Sequence, residues 1–303
     1  MAVLDDLANL SVLIFVITNM LAMGLGLTIT QILQPLRNLR LVGKALLANF
    51  VLVPLVAYVL VVLIPLEQGI AIGLILVGTA AGAPFLPKLV QFSKSNIAFG
   101  VGLMVLLMVV TIFYMPLVLP LLLPGTTVNA GSIAASLVVL LLIPLAIGLL
   151  IKKWNDEIAD ALQPTFNRIS TIFLVVLIVL YLGLGYQTIL STFGSGAIAV
   201  AIVFILISLG IGYVLGGPVR EIKPVVGIAT AQRNISAAFV VVIANFATNF
   251  SVMAMVLVVS LVGLIILMFV SGEIGKRASR AGTTQPENGR VKMEQQAESK
   301  ESS

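Results

Sequence analysis

The sequence Ala-Thr-Ala-Gln-Arg-Asn-Ile-Ser-Ala-Ala occupies residues 229–238 and decides the fold. It lies inside a long apolar segment, 219–246, whose length suits a membrane helix. Gln, Arg, Asn and Ser nevertheless interrupt the middle of this segment, and Arg233 is charged. An ionised side chain at that depth costs about 2.5–3.5 kcal/mol on insertion scales. We therefore expect Arg233 to mark a functional site rather than a random surface position.

The composition is that of a membrane protein with many spans. Hydrophobic residues make up 60% of the 303 residues and charged residues only 10%, against about 45–50% and about 25% in soluble domains. The absence of Cys and His excludes thiol chemistry, histidine metal sites and histidine proton relays. No cleavable signal peptide is expected, because the N-terminal residues are acidic rather than basic. The basic net charge is explained below by membrane orientation, so no nucleic-acid partner is expected.

Nine spans of about 20 residues are predicted. They are 10–33, 41–64, 68–93, 97–122, 131–151, 166–188, 195–216, 219–246 and 250–273. The segment 152–165 has acidic residues at helical spacing and predicts a short interfacial helix. Residues 279–303 are polar without an apolar period, which predicts a disordered cytoplasmic tail after one transmembrane domain, 1–278.

Charge placement gives an orientation. With the N-terminus outside and the C-terminus in the cytoplasm, 16 of the 17 basic residues lie on or near the inner side. Arg233 is the one that orientation leaves unexplained. We expect a multi-pass protein of the plasma (inner) membrane, in contact with the lipid bilayer. The sequence leaves the oligomeric state open, and a monomer is compatible with it.

The third span contains a second interruption. Pro84 and Pro87 follow Gly82, and each proline removes a backbone donor, so the helix should unwind there. Freed carbonyls at membrane depth are tolerated only where they face protein or a wet cavity. The alternative is a kinked packing helix. Interruptions in spans 3 and 8, and a similarity of residues 23–28 to 182–187, predict an all-α inverted repeat with two crossing discontinuous helices.

The polar run of span 8 covers more than one helical face. A break at 231–234 would turn Gln232, Arg233, Asn234 and Ser236 towards a cavity. The partner of Arg233 would then be an anionic ligand, water, or carbonyls freed in span 3. Other candidate residues of the substrate or ion site are Thr79, Gly82, Pro84, Pro87, Asn49 before Pro54, and Thr111 in span 4.

These motifs resemble the bile acid:sodium symporter family. Met23–Thr28 is similar to that family's Met-Gly-Leu-x-Leu signature, and Asn49–Pro54 to its Gln-Phe-x-x-Met-Pro. Residues 81–96 and 232–236 resemble its two crossing helices. The resemblance implies a core of crossing helices and a moving panel, the panel being spans 10–33, 131–151 and 166–188. Members commonly have ten spans, so this chain is expected to begin at the second.

Five positions depart from the family pattern. Leu86 and Pro87 stand where a sodium-binding Ser-Asn pair is usual, and Asn49 replaces a Gln. Ala229 occupies the position where the family usually has a Glu, and Arg233 the position where it usually has a Gln. Sodium is the coupling ion that the resemblance implies, but its anionic ligand is missing. Arg233 would either replace the sodium charge structurally or bind an anionic substrate.

The sequence therefore predicts a secondary transporter of an organic anion that works by alternating access, without a cofactor. A sodium-independent uniporter or exchanger, and a channel or sensor on the same fold, stay open as alternatives. An intramembrane enzyme is disfavoured, because no Cys, no His and no core carboxylate is available for catalysis.

Overall fold

The computed structural model describes residues 2–33, 38–123, 126, 129–184, 196–247 and 249–283. Every regular element within these residues is a helix. We number them α1 (Ala2–Leu25), α2 (Ile29–Leu33), α3 (Leu39–Leu63), α4 (Gln68–Thr79), α5 (Leu86–Phe92), α6 (Ile97–Leu122), α7 (Ala130–Trp154), α8 (Asp156–Leu184), α9 (Ala197–Leu215), α10 (Lys223–Ala231), α11 (Ile235–Phe246) and α12 (Phe250–Thr283).

The all-α fold agrees with the sequence prediction, with one difference in the number of spans. Eight helices in the described part of the chain are long and apolar enough to cross a membrane, with α10 and α11 together forming one of them. The predicted third span is absent from that set because it is divided into α4, of 12 residues, and α5, of seven. The eight spans are thus consistent with about nine passes, two of which, α4–α5 and α10–α11, are interrupted.

The first span ends earlier than predicted. α1 stops at Leu25, and a separate short helix, α2, begins at Ile29. Thr28 and Gln31 form a capping box: the Gln31 side chain accepts from the Thr28 amide at 2.9 Å, and the Thr28 hydroxyl accepts from the Gln31 amide at 3.4 Å. This box starts a new helix rather than continuing α1.

The prediction of a separate interfacial helix at 152–165 was wrong. α7 runs through Trp154, and α8 begins at Asp156 and continues through Pro164 to Leu184. Asn155 separates them and caps α8, because its side chain accepts from the Ile158 amide at 3.0 Å. The acidic residues of this segment are therefore the first turns of a long helix, where the helix dipole favours negative charge.

Two groups of helices are visible. α1 packs against α7 and α8, whereas α4, α9, α10 and α12 pack among themselves. α1 and α7 approach at Gly24 and Gly148, where a Cβ on Gly148 would lie 2.6 Å from the Leu21 carbonyl oxygen. Small residues of this kind let membrane helices approach closely. We call α1, α7 and α8 the panel, and the remaining helices the core.

The C-terminal helix is longer than expected. α12 continues through Thr283, five residues into the segment predicted to be disordered. The remainder of that predicted tail, and residues 185–188 of the sixth predicted span, lie outside the described residues. The inverted repeat stays a prediction.

Candidate functional site

The first helix break comprises residues 80–85, between α4 and α5. Gly82 lies within it at φ +78°, a left-handed conformation that glycine adopts without strain. A Cβ at Gly82 would collide with the backbone of α6 at Met104 and Met108. The sequence Gly82–Pro84 thus unwinds the chain and lets the unwound backbone lie directly on α6.

Thr111 of α6 holds this unwound backbone. Its hydroxyl accepts from the Ala81 amide at 3.0 Å and donates to the Ala81 carbonyl at 3.1 Å. One side chain therefore satisfies both backbone groups of a residue that has left the helix, as burial requires. Thr79, by contrast, bonds only the carbonyls of its own helix at Ile75 and Leu76.

The second break comprises residues 232–234, between α10 and α11. It forms without proline, within one residue of the predicted position. Asn234 caps α11, since its side-chain oxygen accepts from the Ala237 amide at 3.1 Å. The cap replaces the hydrogen bonds that the break removes.

The two breaks are hydrogen-bonded to each other, and we call their contact the crossing. The Asn234 amide donates to the Ala80 carbonyl at 2.9 Å. The Asn234 side chain also donates to the Gly82 carbonyl at 3.0 Å. The carbonyls freed in the first break are thus satisfied by the second.

Arg233 is buried at the crossing, with 6% of its surface exposed. Its Nε donates to the Val77 carbonyl at 3.0 Å, and its Nη2 to the Gly78 carbonyl at 2.7 Å. Its Nη1 donates to Asn49 Oδ1 at 2.9 Å and to the Thr230 carbonyl at 3.1 Å. Four of the five guanidinium N–H groups therefore have protein oxygens as partners. Two of these oxygens are carbonyls of the predicted span 3, which was one of the partners considered for Arg233 from the sequence.

Asn49 lies on a π-helical segment, Ala48–Leu52, inside α3. Its Nδ2 donates to the Ala45 carbonyl at 2.9 Å and to the Thr230 hydroxyl at 3.2 Å. These two bonds leave Oδ1 to face the guanidinium. Such π segments often mark functional positions, and Tyr114 supports this one by donating to the Phe50 carbonyl at 2.6 Å.

A cavity of about 450 Å³ separates the panel from the crossing. The panel contributes residues of α1 and α8, and the core contributes both breaks and the middle of α12. Its lining includes Phe15, Asn19, Pro84, Phe85, Asn167, Ser170, Thr171, Leu174, Gln232, Arg233, Leu257 and Ser260. Among the described residues that line it, Arg233 is the one charged side chain and none is Asp or Glu.

The predicted site residues divide into three sets. Pro84, Gln232 and Arg233 line the cavity. Gly82, Asn234, Asn49 and Thr111 are buried in or beside the crossing and hold it together. Ser236 is buried in the first turn of α11, Thr79 is buried at the end of α4, and Pro87 is half-buried in the first turn of α5. Substrate contact by any of them stays a prediction.

The structure adds residues that sequence reasoning did not select. Thr230 supplies two of the contacts at Asn49 and Arg233, and Asn19 of the panel donates to the Ser236 hydroxyl at 3.1 Å. In α8, the cavity residues Asn167, Ser170, Thr171 and Leu174 follow helical spacing. This polar stripe in an otherwise apolar span was a readable signal. Asn19 is also a polar residue inside an apolar span, but its partner, 217 residues away, could not be read from the sequence.

Comparison with known families matches residues 13–192, more than half of the chain, to the Sodium Bile acid symporter family. The matched segment includes the first break, and the second break follows it. No curated protein matches the chain. The helix content, the apolar spans and the extent of this match agree, and the chain belongs to the Sodium Bile acid symporter family.

Proposed function

We propose that this membrane transporter moves a small or amphipathic organic anion by alternating access, and that the cavity is its substrate site. The observation that carries the proposal is the cavity lining: a mostly apolar wall with one cation and, among the described residues, no carboxylate. Its volume lies in the range of small-molecule sites, about 300–1,000 Å³. The family, whose printed name refers to bile acids, supports the same substrate class.

The chemistry of the lining suits a molecule with an apolar body and a charged end. Phe15, Leu174 and Leu257 offer apolar surface, while Asn19, Gln232 and Ser260 offer hydrogen bonds. α11 begins beside the cavity at Ile235, and a helix N-terminus carries partial positive charge. Because Arg233 donates mainly to protein oxygens, we assign it a field effect on the anion rather than a direct bidentate contact.

Alternating access requires two bodies that separate along the cavity. The panel and the core are those bodies in this proposal, since the cavity lies between them. In this proposal the protein spans the plasma (inner) membrane, with its N-terminus outside and its C-terminus in the cytoplasm. The transporter is a uniporter or exchanger if no cation drives it.

Uptake into liposomes by the purified protein tests the proposal. We expect saturable uptake of at least one radiolabelled organic anion from a panel that includes a bile acid, and no uptake of an organic cation of similar size. Gln232→Ala should lower uptake at low substrate concentration about tenfold, the loss of one hydrogen bond to a charged group.

The matched control is Gln91→Ala, which makes the same change at an exposed position of α5 that does not line the cavity. It should transport as wild type does. Equal uptake of anions and cations, or equal effects of the two substitutions, would contradict the proposed substrate site. A current that grows linearly with voltage and does not saturate with substrate would identify a channel instead.

A further inference from the structure

Four protein oxygens surround the guanidinium of Arg233, and oxygens of these kinds are also the ligands of hard cations. The four are the carbonyls of Val77, Gly78 and Thr230 and the amide oxygen of Asn49, at 2.7–3.1 Å from guanidinium nitrogens. We call these four oxygens the cage. Val77 and Gly78 belong to the last turn of α4, and Thr230 to the last turn of α10. Carbonyls at the C-terminal ends of broken helices are the groups that coordinate sodium in membrane transporters.

The charge of the cage matches one monovalent cation. A helix C-terminus carries roughly −0.5 elementary charge, and two such ends, those of α4 and α10, meet here. Their sum is about −1, which the guanidinium balances. Arg233 is also the one charged residue among the buried side chains of the described part of the chain.

We infer that the guanidinium of Arg233 is a permanent, covalently attached substitute for a coupling sodium ion. Four oxygens that would ligate a metal ion are occupied by N–H donors, so sodium does not fit this cage in the native chain. The consequence for coupling rests on the proposed function: the crossing is held together without sodium, and anion transport at the cavity proceeds without a sodium gradient.

Removing the tethered charge should open the site to a free ion. Arg233→Gln would leave the four cage oxygens in place and add an amide oxygen in the same direction. The crossing of that variant lacks its cation, so we expect it to be stabilised by sodium, which binds only the folded state. Arg233→Lys keeps a tethered cation and should need no sodium.

The experiment uses sodium ion alone as the probe. The melting temperature of the purified full-length protein in detergent is measured in sodium chloride and in choline chloride of equal ionic strength. For wild type and for Arg233→Lys, we expect the melting temperatures in the two salts to differ by no more than about 1 °C. Arg233→Gln should melt at a lower temperature in choline and rise by about 4 °C in sodium, with a saturating dependence on sodium concentration.

Gln232→Ala is the matched control, because Gln232 is adjacent in sequence and supplies none of the cage oxygens. It should show no sodium response. A saturable stabilisation of the wild type by sodium would overturn the inference, and so would a folded Arg233→Gln that ignores sodium. Failure of Arg233→Gln to fold in sodium, beside a folded Arg233→Lys, would overturn it too, because sodium would then not replace the tethered charge.

This stability measurement involves no organic anion. Its failure would leave the substrate proposal intact, and a failure of every anion in the uptake assay would leave the occupied cage intact. The two proposals are therefore tested separately.

Discussion

At the scale of single residues, Asn234 makes three hydrogen bonds that connect the two breaks of the crossing and cap α11. Its amide and its side chain together contact Ala80, Gly82 and Ala237, so one residue both caps α11 and ties it to the first break. Arg233 beside it fixes the ends of α4 and α10. The polar run that is costly in a straight membrane helix is thus satisfied by a second interruption elsewhere in the chain.

We expect Asn234→Ala to destabilise the protein by about 1–3 kcal/mol beyond the loss of a helix cap, because the buried Gly82 carbonyl loses its donor. Asn129→Ala is the matched control. Asn129 caps α7 by accepting from the Ser132 amide at 3.1 Å and lies exposed at the helix end. Melting temperatures of the two purified variants give the comparison, and equal losses would show that the bond across the crossing contributes nothing.

At the scale of helices, the panel packs on the core through α1 and α7, and one of these contacts joins two polar side chains. Asn19 on α1 and Ser236 on α11 form a hydrogen bond of 3.1 Å across the two groups. A transporter that works by separating these groups must break this contact in every cycle. The contact is therefore a convenient place to test whether the groups move.

We predict that joining Asn19→Cys and Ser236→Cys with a short thiol-reactive linker stops transport, and that reductive release of the linker restores it. The natural chain contains no Cys, so the two introduced thiols are the only targets. Uptake before and after linkage is the measurement.

The control pair is Lys152→Cys and Asp160→Cys, whose native side chains lie 2.6 Å apart on α7 and α8, both in the panel. Linking this pair should leave transport unchanged. Unimpaired transport with Asn19 and Ser236 linked would show that α1 and α11 do not separate.

Helix interruptions were the most predictable part of the fold because their signals are local. Gly82 and the following prolines identify the first break, and the run of polar residues identifies the second. The end of α1 at Leu25 was missed, although the Thr28–Gln31 capping box is visible in the sequence. The continuous α8 was missed because the acidic first turns were interpreted as a separate amphipathic helix.

The partners of the site residues were less predictable for a different reason. The Arg233 guanidinium meets the carbonyls of Val77 and Gly78, which are 156 and 155 residues away and have no side-chain signature. Backbone oxygens become available only where a helix ends, so their position depends on the tertiary crossing. From the sequence, backbone carbonyls and a bound ligand were therefore both possible partners of Arg233, and the sequence could not decide between them.

At the scale of the whole molecule, the distribution of basic residues predicts the orientation in the membrane. Asn129 and Asn155 are exposed residues that flank α7 at its two ends. In intact cells, a membrane-impermeant thiol reagent should label Asn129→Cys and not Asn155→Cys, because basic residues cluster on the side of Asn155. Both variants should be labelled after permeabilisation, and labelling of Asn155→Cys alone in intact cells would reverse the orientation.

A charge attached to the chain has an electrical consequence for transport. Arg233 cannot dissociate, so any movement of the crossing relative to the bilayer carries its positive charge along. The helix ends that surround Arg233 are ends of dipoles and add no net charge. In the proposed cycle a bound monovalent anion would therefore cancel the net charge of Arg233, whereas the empty carrier would keep it. Membrane voltage, worth about 2.3 kcal/mol per elementary charge per 100 mV across the full field, would thus act on the return of the empty carrier, and turnover would follow voltage even in the absence of any ion gradient.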